Sequence, residues 1–205
     1  MKLPSIPDLY KVRKSDFNQI CTMLGRAFQQ DPIWKEILKN DPEKWPLVFA
    51  VPVKYGLRYG SIFAPTKEVS AAAVWLPSSS INMNLWRMLL SGAIPHAMKL
   101  GSQIGNQISS VFSIIEKQHF EYLKTNPRFA YLYVLGVDPE NQGKGLGSLL
   151  VKKMMEALPA NIPIYLETET KSNVKFYEKL GFEVLNELMV PLLDKVMWEM
   201  EWKNK

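Results

Sequence analysis

The chain is 205 residues long, 47% hydrophobic, 22% charged and 11% aromatic, a balance usual for a globular protein and too apolar for a disordered one; that length favours one elaborated domain over two. A single cysteine, Cys21, excludes an internal disulfide framework and a zinc site built on several thiolates, and two histidines, His96 and His119, leave little for a histidine-rich centre, so no metal is expected. The formal charge of +5 is uneven, net +6 over residues 1–100 and −1 over residues 101–205; without a Lys/Arg run or a recognised motif it reads as a solvated basic surface, and no nucleic-acid partner is expected.

The opening MKLPSIPDLYKVRKSDF has no continuous apolar core and does not read as a signal peptide. Leu9–Arg13 reads as a short strand, and Ser15 as the N-cap of a helix with Phe17, Ile20, Cys21, Leu24 and Phe28 on one face. Cys21 sits on that apolar stripe, as a buried structural thiol does. Asp31-Pro32 and Asp41-Pro42 bracket a short helix or turn, and a longer helix is expected from Trp45 to Tyr59. Gly60–Ala64 and Ser70–Leu76, separated by Pro65-Thr66-Lys67, read as paired strands. Val69–Ile115 carries only Arg87 and Lys99 as charged residues, but Pro77, Ser78–Ser80, Asn82, Asn84 and Pro95 break it below the roughly 20 apolar residues of a spanning helix. A soluble, cytoplasmic protein with no membrane partner is expected.

Residues 78–125 read as mainly helical, with breaks near Gly92–Pro95 and Gly101–Gly105. In the last piece Ile108, Val111, Phe112, Ile115, His119 and Tyr122 share one face; His119 is either a satisfied core histidine or a group lining a pocket. From Tyr131 the rhythm becomes β-α-β-α-β-β: strand Tyr131–Val137, helix Gly145–Leu158, strand Ile162–Glu167, helix Ser172–Leu180 with Gly181 as a left-handed cap, and an antiparallel pair Phe182–Met189 and Lys195–Trp202. The class is mixed α/β.

The segment Val137-Asp138-Pro139-Glu140-Asn141-Gln142-Gly143-Lys144-Gly145-Leu146-Gly147-Ser148 is the most informative. A buried strand ends, and a glycine-rich loop opens into an amphipathic helix. The unpaired N–H groups and positive dipole end of a helix start make an anion cradle when no side chain bars the way, and Lys144 would add a charge. Gly143, Gly145 and Gly147 fit neither the dinucleotide G-x-G-x-x-G nor the P-loop G-x-x-x-x-G-K-[S/T].

The pattern Gln142-x-x-Gly145-x-Gly147 after Leu135-Gly136-Val137 resembles the acyl-CoA signature of the GCN5-related N-acetyltransferases (GNAT). Asn173-Val174-Lys175-Phe176-Tyr177-Glu178-Lys179-Leu180-Gly181-Phe182 resembles a second block of that superfamily. The two blocks, in order with a strand between them, carry the resemblance over Tyr131–Phe182. A weaker one over Tyr55–Gly60, Val74–Pro77 and Leu166–Thr168 is to puromycin N-acetyltransferase and its bacterial relatives.

The resemblance implies a single GNAT domain over 1–205, with a mixed, mostly antiparallel central sheet flanked by helices and a helical insertion at 78–125 before the cofactor-binding strand. It implies that this strand splays from Ile164–Glu167 to leave a V-shaped slot. Acetyl-CoA would be the cosubstrate, its pantetheine arm pairing with Leu135 and Val137, with Gly136 allowing a bulge or a close backbone approach. The pyrophosphate would lie on N–H groups from Gln142 to Ser148, through Gly143, Lys144, Gly145, Leu146 and Gly147. Val137 N–H would be an oxyanion donor and Asn173 a pantetheine partner. Asn173 and Tyr177, spaced i,i+4, share a face that turns Tyr177 into the slot as general acid. Glu167 is the best-placed base, with Glu169, His119 and water as alternatives. The acceptor would be an amine of a small molecule with aromatic or apolar character, facing a wall of Met83, Trp86, Met88, Leu89, Leu90, Ile94 and Met98. A protein or peptide amine is the second reading, and a non-catalytic acyl-CoA sensor the third. The chain would act as a monomer or homodimer.

Overall fold

The computed structural model describes residues 1–39 and 41–203. Seven strands form one sheet: β1 (Tyr10–Lys11), β2 (Ser61–Ala64), β3 (Ala71–Pro77), β4 (Ala130–Val137), β5 (Ile164–Thr168), β6 (Glu183–Val190) and β7 (Lys195–Trp202). Their order is β1-β2-β3-β4-β5-β7-β6, antiparallel throughout except between β4 and β5. The expected α/β architecture, a mostly antiparallel sheet flanked by helices, is the one found.

Helices cover both faces of the middle of this sheet, which is why β2 and β3 read as unbroken apolar runs rather than alternating ones. Ile62, Ala64, Ala72 and Val74 pack into the layer holding α1 (Phe17–Ala27), α2 (Pro32–Leu38) and α3 (Lys44–Tyr59). Their neighbours Phe63, Ala71, Ala73 and Trp75 pack into the opposite layer with α7 (Leu146–Ala157) and α8 (Lys171–Glu178). Cys21 lies in the first layer, and burial pushes its thiol up to about 12, so it is no nucleophile.

The insertion is three helices, α4 (Leu85–Ser91), α5 (Ile94–Lys99) and α6 (Ser102–Thr125). The break expected at Gly101–Gly105 stops at Gly101; Gly105 lies inside α6. One interior glycine costs a helix only about 1 kcal/mol, and burial of Ile104, Val111, Ile115 and His119 along α6 outweighs it. Ser15 does not cap α1. It lies in a 3-10 turn, Lys14–Asp16, held by the Asp16 carboxylate, which accepts from Arg13 N (2.7 Å) and the Tyr10 hydroxyl (2.8 Å).

Two details of β4 fix what lies beside it. The register runs from Val74 opposite Val134 to Trp75 opposite Leu132, leaving Tyr133 as the extra residue of a bulge. The bulge therefore belongs to Tyr133, not to Gly136. A Cβ on Gly136 would stand 2.5 Å from Leu24 Cδ2 and 3.3 Å from Ala27 Cβ and Phe28 Cε2, so the missing side chain makes room for α1. Gly136→Ala is expected to destabilise the fold by about 1–3 kcal/mol through overpacking, measured as a lower urea midpoint at unchanged slope. An unchanged midpoint would mean that α1 is free to shift.

Candidate active site

β4 and β5 pair only at Ala130–Ile164 and Tyr131–Tyr165. Beyond that, β4 stays with β3 as far as Val137 and β5 stays with β7 as far as Thr168, so a V-shaped gap opens between them. Asp138 N donates to Ser70 O (2.9 Å). Antiparallel ladders exchange bonds at alternate residues, so Gly136 and Val134 also face β3, while the backbone groups of Leu135 and Val137 point into the gap. The Gln142 side-chain amide donates to Val137 O (3.3 Å), which leaves the Val137 N–H facing the opening.

A cavity of about 640 Å³ occupies the gap, lined by Leu135–Val137, the loop from Asn141 into α7, and Asn173, Phe176 and Tyr177 of α8. Gly143 and Gly145 have φ of +77° and +78°, and a Cβ on either would meet nothing within 4 Å. These glycines serve the turn's left-handed backbone, which brings the free N–H groups at the start of α7 to the cavity. Lys144 does not line it; its ammonium bonds Asn141 Oδ1 at 2.9 Å. Among the described residues the cradle has no basic side chain in its lining, so an anion there would be held by backbone N–H groups and the helix dipole. Asp138, buried behind the loop, pairs with Arg26 of α1 and accepts from Glu140 N, tying the loop to α1.

A second cavity, of about 290 Å³, lies under α2, α3 and α6. Phe28, Leu135, Asn173 and Tyr177 line both cavities and form the partition between them. Asn173 and Tyr177 reach it because Thr170 caps α8, its hydroxyl accepting from Asn173 N (3.1 Å). Burial, then the Glu169 carboxylate, pushes the Tyr177 hydroxyl up, so it holds its proton at neutral pH.

Glu167 and Glu169 also line the second cavity. Glu167 Oε1 accepts from His119 Nε2 and Oε2 from the Tyr131 hydroxyl, both at 2.7 Å; the Glu167 and His119 side chains are only 4% and 7% exposed. His119 is thus both a satisfied core histidine and the partner of the candidate base. Asp31 faces the first cavity, its carboxylate capping α2 at Ile33 N (2.9 Å) and Trp34 N (3.0 Å). Burial and the Asp31 and Glu167 charges drive the Glu169 carboxyl well above the usual carboxylate range.

The expected methionine-rich wall is not where the cavity lies. Trp86, Leu89, Leu90 and Met98 are 73%, 53%, 63% and 76% exposed, and of that set only Met88 lines the second cavity. The wall comes instead from residues such as Trp34, Phe49, Ile108 and Phe112. Sequence reasoning did not assign Asp31, Tyr131, Phe28 or the Arg26–Asp138 pair. Asp31-Pro32 carries a signal, since an acidic N-cap before proline at the first helical position is a helix start; the others are brought together only by tertiary packing.

An open strand edge beside a glycine-rich helix start offers backbone groups for an added strand and N–H groups for an anion. Residues 105–184 match the family model described as "Acetyltransferase (GNAT) domain". A mycothiol acetyltransferase of Mycolicibacterium gilvum is 36% identical over 64 residues, 27% of this chain and 21% of that protein. One of Corynebacterium glutamicum is 27% identical over 139 residues, 63% of this chain and 47% of that protein. The chain thus spans between 21% and 47% of these curated relatives' length. A solved structure described as a histone acetyltransferase and related acetyltransferase from Corynebacterium glutamicum is similar at a TM-score of 0.62 and 20% identity, over 98% of both chains. An N-acetyltransferase from Staphylococcus aureus is similar at 0.64 and 12%, over 95% of this chain and 99% of that one. At such identities these likenesses establish the fold. No cluster of His, Cys, Asp or Glu among the described residues is arranged to hold a metal ion, and no described helix is long and apolar enough to cross a membrane.

The acidic row makes a stability test. A carboxyl whose pKa is higher folded than unfolded stabilises the fold below its unfolded pKa, and that contribution is lost as pH rises towards the folded value. Glu169→Gln removes the titration. Its Tm should match the parent's near pH ~4, where the unfolded carboxyl gains its proton, and exceed it increasingly towards neutral pH. Thermal melts showing a pH-independent difference would contradict the raised carboxyl.

Proposed function

We propose that the chain is an acetyl-CoA-dependent N-acetyltransferase that transfers an acetyl group directly to an amine of a small molecule. The observation that carries this reading is the partition: Tyr177, with Phe28, Leu135 and Asn173, stands between an anion-cradling slot and a separate apolar cavity. Two substrates held on either side of one hydroxyl react without a covalent enzyme intermediate. The enclosed apolar cavity favours a small molecule over a peptide amine.

In this reading Leu135 and Val137 offer their edge to the pantetheine arm, Asn173 bonds it, and N–H groups from Gln142 to Ser148 carry the pyrophosphate. The cosubstrate supplies an acetyl group already activated as a thioester. Val137 N–H faces the carbonyl oxygen as charge builds there, a contribution of ~3–4 kcal/mol for such a donor. Glu167, held by His119 and Tyr131, takes the amine's proton directly or through water. The C–N bond forms, the C–S bond breaks, and Tyr177 protonates the departing sulfur. We also place the chain beside the puromycin-type branch. That reading rests on the residues of Tyr55–Gly60, Val74–Pro77 and Leu166–Thr168 and names no acceptor.

Release of CoA thiol with a panel of amines, above a no-acceptor blank, tests the activity. Tyr177→Phe should lower kcat by about 10–100-fold and change the acetyl-CoA KM less; an effect confined to KM would make Tyr177 a binding residue, and no effect at all would favour a sensor. Gly145→Glu adds a strained left-handed side chain and a negative charge to the cradle. It should weaken acetyl-CoA binding by about 100-fold or more by calorimetry, and unchanged affinity would overturn the pyrophosphate placement.

A further inference from the structure

The second cavity has a one-sided electrostatic lining. Its only charged lining groups among the described residues are the carboxylates of Glu167 and Glu169; no Lys, Arg or His lines it. Both lie at the end of β5, beside Asn173 and Tyr177, so the acidic groups mark the end that opens on the slot. Away from them the wall is apolar and largely aromatic, with Trp34, Phe49, Ile108 and Phe112 from three helices. Resting on the transferase reading, we infer that the acceptor is a small primary monoamine with an uncharged apolar body: its ammonium sits against Glu167 and Glu169, and its body lies under α2, α3 and α6.

The lining also says what the cavity rejects. An amino acid brings a carboxylate within reach of two others and meets no basic side chain, so like-charge repulsion and desolvation both oppose it. A diamine or polyamine places its second ammonium against the apolar wall, where the charge loses water and gains no partner. Among the described residues Glu169 has no hydrogen-bonding pair like the one His119 and Tyr131 give Glu167, and with the Glu167 and Asp31 charges beside it the negative field there is short of compensation. An incoming cation supplies that compensation. At about 290 Å³ the space is near the lower end of small-molecule sites, roughly 300–1,000 Å³, which suits a single ring on a short chain and not a multi-ring aminoglycoside.

The test uses the full chain and ligands that differ by one group. Acetyl transfer is compared for phenethylamine, phenylalanine (the same body with a carboxylate) and 1,5-diaminopentane. Calorimetry on the CoA-loaded protein compares binding of phenethylamine with that of 2-phenylethanol, which lacks the charge. The expected result is a kcat/KM for phenethylamine at least 100-fold above both rivals, and phenethylamine binding at least 10-fold tighter than the alcohol. Equal or better transfer to phenylalanine or the diamine overturns the acceptor class while leaving the transferase reading in place. Selective binding of phenethylamine with no transfer to any amine overturns the transferase reading and upholds the cavity's preference. Neither binding nor transfer of phenethylamine overturns the inference.

Discussion

The parting of β4 from β5 after two residue pairs is the constraint on which the rest of the site depends. Unpaired backbone N–H and C=O groups inside a fold are costly and are nearly always satisfied, and a bare strand edge invites pairing with whatever extended chain arrives. Here the edge at Leu135 and Val137 lies in the middle of a seven-stranded sheet, so intermolecular strand pairing is barred by the flanking strands and only a slender extended ligand fits. Each half of the split sheet is held by its outer partner: β4 keeps its ladder with β3 and β5 keeps its ladder with β7. α1 is packed against β4 at Gly136, and the Arg26–Asp138 pair ties the same helix to the loop beyond it. The gap is therefore built into the packing on both sides of it.

How far this was legible in the sequence follows from the range of the interactions involved. The β-α-β-α-β-β order after Tyr131 and the cradle loop were readable because strand alternation, helix periodicity and glycine spacing are local. Lys195–Trp202 was placed at its observed ends, and most other ends fell within two residues. Ser15 was misjudged because Asp16 beside it is recruited by Tyr10, six residues away in the chain, a contact that no capping pattern records. What approaches Gly136 is not legible in the sequence, because a glycine's reason is the atom it makes room for, and Leu24 is brought to it only by the packing of α1. The wall at 78–125 failed for a similar reason. Helical spacing identifies an apolar face, but several apolar residues of α4 point outwards, while the cavity is closed by α2, α3 and α6.

The acidic row at the junction shows a fold stabilised around a local cost. Asp31 is partly compensated by the N–H groups it caps, and Glu167 by a histidine and a tyrosine. Glu169, near these two charges, has no such pair among the described residues, and burial with those charges drives its carboxyl well above the usual carboxylate range. Residues that weaken the fold while facing a cavity mark sites where selection has acted on function instead of stability. The surrounding core carries the difference. Its large buried side chains, Trp75, Tyr55, Phe49 and Tyr165 among them, pack both faces of the sheet.

The partition ties the two cavities to one helix. Asn173 and Tyr177 sit one turn apart on α8, whose start is fixed by Thr170 two residues after the end of β5. The strand that carries Glu167 thus leads through Glu169 and the capping Thr170 into the helix that carries the slot's polar side chains. Any displacement of α8 moves Tyr177 relative to both cavities together, whereas Leu135 on β4 is held by a different ladder. The line of the two cavities across the partition is then set by the angle at which β5 leaves β4. An angle fixed by sheet packing is less easily disturbed than one left to a loop. The open wedge of the sheet that forms one cavity is also the element that aims the acidic end of the other.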